Sequence, residues 1–447
     1  MYLYISGRKD KKTPRGAFFH FLLFTFNLYQ PVRTAMALNY VWIAFFLVAF
    51  VVALIKLIVF GDVEIFKKLV DGLFDSAKSS VMDVAFPLTG TMVFFLGLLN
   101  IAEKAGAVRF LARFLDPLMR RIFPGVPGGH PAMGQMVMNF SANLLGLDNA
   151  ATPFGLKAME SLQTLNPEKE KATNAQIMFL VLHTSGLTII PLTIIAYRIS
   201  AGSTEPASIF IPCVIGTLMT TLASVIVVSF WQRIKWDLVL IGWVASALAA
   251  VGLLLFYVNS LSPANKEVFS KVAGNILLFV IVVSFIVGGV RKKINVFDAF
   301  IEGAKEGFSV ILKIIPYLVG MLVAIRVFRD SGALDYVING ISWCIAAVGI
   351  PTDFVPALPV AIMKPFSGSG ARGMMLDIFN NPALGPDSFV GKTASIFQGS
   401  ADTTFYIIAL YFGSVGIKKV RYSIWAGMIA DFIGVIAAIF IAYIFFR

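Results

Sequence analysis

The sequence predicts an all-α polytopic membrane protein: two inverted structural repeats with broken helices or re-entrant hairpins, and about nine spans. Three observations lead there. Hydrophobic residues make up 58% of the 447 residues and charged ones only 14%, with a mean hydropathy of +0.82. A soluble chain carries far more charge. Apolar runs long enough to cross a bilayer recur along the whole length. Polar stretches broken by glycine and proline interrupt these runs in two matching series. The net charge of +12 lies in short clusters between apolar runs, the positive-inside pattern, so no nucleic-acid partner is expected. Cys213 and Cys344 fall in apolar segments without metal or disulfide spacing, and no cofactor is expected.

Residues 1–35 form a basic N-terminal tail. Arg8, Lys9, Lys11, Lys12 and Arg15 precede an aromatic run at 18–26 that is too short to span. No clean cleavage site follows. The tail reads as interfacial and cytoplasmic, with Met36 as a second candidate start, and it is expected to be dispensable. Spans are expected near 40–60, 84–101, 176–199, 207–230, 237–258, 272–290, 311–328, 390–413 and 422–446. Residues 62–80, with Asp62, Glu64, Lys67, Lys68, Asp71, Asp75 and Lys78 among apolar positions, read as an amphipathic surface helix. Residues 294–309 read the same way, and 131–165 and 352–380 read as broken hairpins.

The chain repeats itself. Residues 66–72 (FKKLVDG) resemble 297–303 (FDAFIEG), and 104–107 (KAGA) resemble 330–333 (DSGA). Val126-Pro127 matches Ile350-Pro351, 139–157 matches 364–373, and 185–188 (SGLT) matches 400–403 (SADT). The division is a first repeat at 36–230, a linker at 231–270 holding one span, and a second repeat at 271–447. Four spans and then one place the second repeat upside down. The loop at 201–206 has no Lys or Arg, whereas its counterpart holds Lys418, Lys419 and Arg421. The clusters at Arg233/Lys235 and Arg291/Lys292/Lys293 then fall inside with them. Inverted repeats meeting at broken helices are a transporter design, because exchanging the two halves' conformations alternates access.

Four polar pieces carry the expected site. In 139–157 (NFSANLLGLDNAATPFGLK), Asn139, Ser141, Asn143, Asp148, Asn149 and Thr152 stand among apolar residues, and Gly146, Pro153 and Gly155 break the helix. Broken backbone and bare amides in lipid survive only against protein or a wet cavity. The alternative is a tight helix contact held by Asn and small residues. Asn139 and Asn143 are four apart and face one way from a helix. His183 and Ser185 sit in a span weakened by Gly186 and kinked by Pro191. A lone His in an apolar helix is more often satisfied by a neighbour than a ligand contact. Ser367, Ser369 and Arg372 lie in SGSGARG, which matches G-x-G-x-x-G without the preceding strand that motif needs. It reads as a glycine-loosened hairpin tip whose amides and Arg372 meet an anionic or carbonyl group, or else as close packing. The last piece, QGSADTT, holds Gln398, Ser400, Asp402 and Thr403. Asp402 falls within a span, and an intramembrane carboxylate is a functional candidate by default. Arg372 or Lys364 is its expected partner, with a purely structural ion pair as the alternative. All four pieces are expected to meet near the bilayer midplane as one solute site.

Several of these stretches resemble a known family. Residues 146–160 (GLDNAATPFGLKAME) closely resemble the signature of spore maturation protein A. Residues 315–324 (IPYLVGMLVA), 385–391 (GPDSFVG), 398–406 (QGSADTTFY) and 416–419 (GIKK) resemble spore maturation protein B. The first resemblance covers about 40–230 and the second about 270–446, so the chain resembles a fusion of the two. Both carry the nucleoside recognition, or Gate, domain, a label shared with concentrative nucleoside transporters and with the membrane part of the ferrous iron transporter. The resemblance implies transport. No G-x-x-x-x-G-K-[ST] loop of the iron transporter's soluble domain is present.

The expected function is a multi-pass transporter or permease of the bacterial plasma (inner) membrane for a small polar solute, nucleosides among the candidates. Its partners would be that solute, the lipid bilayer and a coupling ion. H⁺ or Na⁺ would act through Asp402, Asp148 or the carbonyls freed beside them, and a homo-oligomer is a candidate assembly. The alternative is a non-transporting membrane scaffold for spore or envelope maturation. An enzyme is not expected, because neither H-E-x-x-H nor G-x-S-x-G occurs.

Overall fold

The computed structural model describes residues 34–447, so the basic tail lies outside the described residues except for its last two positions. Everything described is helix and connecting loop, with a single isolated bridge between Lys171 and Lys419. Helix α1 (Thr34–Phe60) leads into one continuous rod made of α2 (Ile65–Ser79), a π-helical turn (Ser80–Ala85) and α3 (Phe86–Lys104). Then come α4 (Ala107–Ile122), the hairpin α5 (Pro131–Leu144) and α6 (Asp148–Thr164), the broken pair α7 (Asn174–Thr184) and α8 (Leu192–Ser200), and α9 (Phe210–Gln232). Helices α10 (Leu238–Ser260) and α11 (Pro263–Arg291) lead to α12 (Val296–Asp330) and α13 (Ala333–Ala346). A second hairpin, α14 (Leu358–Met363) and α15 (Gly368–Phe379), is followed by α16 (Phe389–Gly399), α17 (Thr404–Ser414) and α18 (Ser423–Phe446).

Among the described residues, seven helices are long and apolar enough to cross a membrane. They account for seven of the expected spans. The other two, 176–199 and 390–413, exist as the broken pairs α7/α8 and α16/α17. At 9 to 11 residues, each piece reaches only about half of the ~30 Å hydrocarbon core.

Two expectations need correction. Residues 62–80 do not form a separate surface helix; they run straight into the next span as one helix of 40 residues, Ile65–Lys104. The π turn just before Pro87 widens the helix where that proline has no N–H to give. Residues 294–309 likewise continue into their span as α12, 35 residues long. The strongly amphipathic short helix is α4, which carries Arg109, Arg113, Arg120 and Arg121. It and α13 occupy matching places, each entered through a left-handed glycine: Gly106 at φ 89° and Gly332 at φ 87°. Those two glycines are aligned by the sequence repeat.

The long rod Ile65–Lys104 and α12 pack antiparallel. Gly97 lies against Phe300, Gly307 against Val93, and Gly72 against Arg326 and Asp330. A Cβ on Gly303 would lie 2.5 Å from the Leu96 carbonyl oxygen. Missing side chains let the two backbones approach, the usual device for helix contact in lipid. Gly303→Val should therefore cost about 1–3 kcal/mol by overpacking. A thermal melt of the purified variant would show it, and an unchanged melting temperature would contradict the close crossing. Helices α9 and α18 are antiparallel too: Trp231 stacks on Tyr422 with centroids 5.3 Å apart, and Gly434 abuts Thr220.

Contacts between loops sort into two ends. At one end, Lys418 pairs with Glu170 at 2.6 Å, Arg421 donates to the Ala172 carbonyl, and Arg121 pairs with Asp237. The Lys418 ammonium holds the Glu170 carboxyl below its usual range. At the other end, Arg198 pairs with Asp387, Lys271 with Glu205, and Arg447 with Asp353.

Candidate functional site

The breaks of the two split spans touch. Gly186, in the gap between α7 and α8, is left-handed at φ 60°, and a Cβ there would lie 2.9 Å from the Asp402 nitrogen. The Asp402 N–H, in the gap between α16 and α17, donates to the Thr184 carbonyl at 2.8 Å. Each split pair is also tied to the hairpin that precedes it in the chain. Ile189 N–H donates to the Leu144 carbonyl at 2.9 Å, and Phe405 N–H donates to the Pro365 carbonyl at 3.0 Å. Backbone groups orphaned by the broken helices thus find partners in one another, which is what allows unwound chain away from water.

Beside this crossing is a cavity of about 270 Å³. The first hairpin contributes Asn143, Gly146 and Leu147; the second contributes Lys364 and Arg372. Gln398, Gly399, Ala401 and Asp402 come from the second break, and Gly186, Thr188 and Thr193 from the first. Asn100, Glu103 and Glu306 from the antiparallel rods and Cys213 and Thr217 from α9 complete the polar lining. The Lys364 ammonium donates to the Gln398 carbonyl at 2.8 Å, a cation at the C-terminal end of α16, where the helix dipole favours it. Arg372 lies over the Tyr197 ring, 5.3 Å from its centroid. Its Nε is buried without a hydrogen-bond partner, and so is Gln398 Oε1.

Four of the expected site residues therefore line one cavity: Asn143, Arg372, Gln398 and Asp402. His183 sits behind it, in a buried cluster. Its Nδ1 is 3.0 Å from Asn139 Oδ1 and 3.1 Å from Asn143 Nδ2, and Tyr411 Oη is 3.4 Å from both ring nitrogens. His183 is thus satisfied by neighbours, and Asn143 links this cluster to the cavity. Asn139 also donates to the Ala151 carbonyl at 2.7 Å, stapling the hairpin. Gly155 leaves room for Tyr411 to reach in, since a Cβ there would collide with the phenol.

The hydroxyls divide differently. Ser141, Ser185 and Ser400 bond back to their own helices, at Val137, Leu182 and Phe397. Ser185 also meets Thr221 at 2.8 Å. Ser367 caps α15, accepting from Gly370 N–H at 3.0 Å, and lies 3.1 Å from Ser369 Oγ. Thr403 donates its N–H to Asp402 at 2.6 Å. Asp148 and Asn149 open α6, directly after the cavity-lining Leu147, and Thr152 follows in the next turn. The glycines of SGSGARG serve packing: Gly370 and Gly373 lie against Met363, Met321 and Ile325.

Sequence reasoning missed several groups. Glu103 and Glu306 lie where a span and a surface helix were expected to end, so they read as interfacial charges. Tyr411 is an ordinary aromatic of an apolar run. Asp431 is a lone carboxylate in the apolar α18, and the rule that marked Asp402 could have found it.

The profile of the Gate family, described as nucleoside recognition, matches residues 85–228 and 311–418, more than half of the chain. The chain belongs to that family. It is 46% identical over 167 residues to spore maturation protein B of Bacillus subtilis (strain 168), covering 37% of this chain and 91% of the relative. It is 39% identical over 157 residues to spore maturation protein A of the same organism, covering 35% of this chain and 80% of the relative. No solved structure matches it.

Proposed function

We propose that this Gate-family membrane protein is a transporter of a small polar solute in the bacterial inner membrane. The halves at 36–230 and 271–447 would be inverted, with the solute held in the cavity between them. One observation carries the reading: unwound segments of two split spans, one from each half, touch beside a polar cavity. Broken helices with ends directed at a central site are how secondary transporters hold solutes. At about 270 Å³ the cavity is near the lower end of the ~300–1,000 Å³ range of small-molecule sites. The Arg372 guanidinium on the cavity wall would meet a solute carbonyl, and Asp402 would accept from a solute N–H or O–H. Nucleosides and nucleobases offer both.

Two pairs of helices at matching positions of the sequence repeat pack antiparallel, as inverted repeats would. Inversion is also supported by charge: Arg233, Lys235, Arg291, Lys292 and Lys293 fall at the same end as Lys418, the cytoplasmic end by the positive-inside rule. Single cysteines at exposed Asn265 and Lys418 should label from opposite sides of the membrane. Labelling of both from one side would contradict the inversion.

Uptake of a panel of labelled nucleosides and nucleobases into proteoliposomes tests the function. Uptake above empty vesicles, competed by the unlabelled compound, is expected for at least one. A cavity that neither takes up a solute nor opens to both sides would favour the scaffold reading.

A further inference from the structure

Asp431 lies on α18, with 7% of its surface exposed. Thr404 Oγ1 donates to its Oδ2 at 2.6 Å, and its Oδ1 is buried without a hydrogen-bond partner. Thr404 is the first residue of α17, two positions after the cavity-lining Asp402. The contact is close because Gly427 on α18 faces Thr404, where a Cβ would lie 2.7 Å from the threonine methyl. Asp431 is therefore tied to the first turn of α17, directly after the break.

A bare carboxylate oxygen away from water is costly while charged. The surroundings determine what can neutralise it. Lys364 and Asp402 are the charged groups that act on Asp431. Between them, the packed helices α9, α10 and α17 carry no Asp, Glu, Lys or Arg; their titratable groups are Cys213, Tyr257, Tyr406 and Tyr411. On α7 the neighbour is His183, already held by Asn139 and Asn143. Lys392 of α16 lies at the far end, over the Phe446 ring, and Lys271 of α11 pairs with Glu205. Lys364 is shared with Asp402 and also donates to the Gln398 carbonyl, so the bare, buried Oδ1 of Asp431 is relieved most directly by a proton of its own.

We propose that Asp431, held by Thr404, is a proton-binding site beside the cavity, and that the proton is the ion coupled to solute movement. The second clause rests on the transport reading; the first does not. No bond other than the carboxyl O–H forms, and the proton comes from and returns to water through the cavity side.

The test uses the full-length protein in lipid, with the proton itself as probe. Infrared difference spectra between acidic and alkaline buffer report a buried protonated carboxyl through its C=O stretch. The parent should show that band, Asp431→Asn should lose it, and Asp402→Asn should keep it. Thr404→Val removes the donor at constant shape and should shift the band. It also carries the test alone if Asp431→Asn fails to fold. A band that persists in Asp431→Asn or is unmoved in Thr404→Val would overturn the proposal. So would a band abolished by added Na⁺ at constant pH, which would make the carboxylate a metal-cation ligand. A protein that shows the band and moves no solute would count against transport and leave the proton site standing.

Discussion

Asp402→Asn should cut solute uptake at least about tenfold while leaving folded protein in the membrane. Asparagine keeps the volume, and its side-chain oxygen can still accept from the Thr403 N–H that now donates to Asp402 at 2.6 Å. The backbone bond from residue 402 to Thr184 is untouched by the change. What disappears is the fixed charge in a cavity also lined by Lys364 and Arg372. Hydrogen bonds to charged groups contribute about 1.5–3 kcal/mol, which is roughly 10- to 150-fold in binding. Uptake in a deletion strain carrying the variant, normalised to protein in the membrane, measures it. A purely structural role would instead lower the amount or melting temperature of the protein. Normal uptake by a well-folded variant would remove Asp402 from the site.

Asp387→Ala should cost about 3 kcal/mol of stability. Arg198 has no exposed surface, and Asp387 is the acidic partner in its ion pair, at 2.7 Å. Asp387 is partly exposed, but removing it leaves the charge of the fully buried Arg198 uncompensated. The loss is held toward the lower end of that effect because the Pro386 and Glu205 carbonyls still accept from the guanidinium. The same carboxylate sets a pH dependence. Burial pushes the Asp387 carboxyl up, but hydrogen bonds from Ser203 and Thr204, with the Arg198 charge, outweigh it and hold the group below its usual range. Its contribution is therefore fully present above the ordinary carboxylate value of about 3.9 and is lost as pH falls through the depressed one. Melting curves should be flat in this respect near neutral pH and fall on acidification, and the Asp387→Ala curve should lack that component.

Much of this architecture is legible in the sequence because lipid imposes a simple rule: long apolar runs span, and polar breaks must meet protein. The split spans at 174–200 and 389–414 follow from Gly186, Pro191 and the SADT turn, whose polar residues could not face lipid. The rod at Ile65–Lys104 was not legible. Charges such as Lys67 and Asp71 divide it on paper into a surface helix and a span, whereas a π turn keeps it continuous. The site was half legible. Intramembrane polarity marks Asn143, Arg372, Gln398 and Asp402, but it cannot separate a cavity wall from a serine bonded to its own helix, as at Ser141 and Ser400. Nor does it show which carboxylate meets which hydroxyl. Asp431 and Thr404 are 27 residues apart and are joined only by the packing of α18 on the break.

The central claim, a solute site that alternates between the two sides, is tested most directly by cysteine accessibility. Thr193 lines the cavity, and the native thiols to be removed are Cys213, which also lines it, and Cys344, which is exposed. In a Cys213→Ser, Cys344→Ser background, Thr193→Cys should react with a membrane-impermeant thiol reagent in right-side-out vesicles and, separately, in inside-out vesicles. Cysteines at Asn265 and Lys418 serve as one-sided controls. Reaction from both sides is the result expected of alternating access. Reaction from one side only, or from neither, would contradict it.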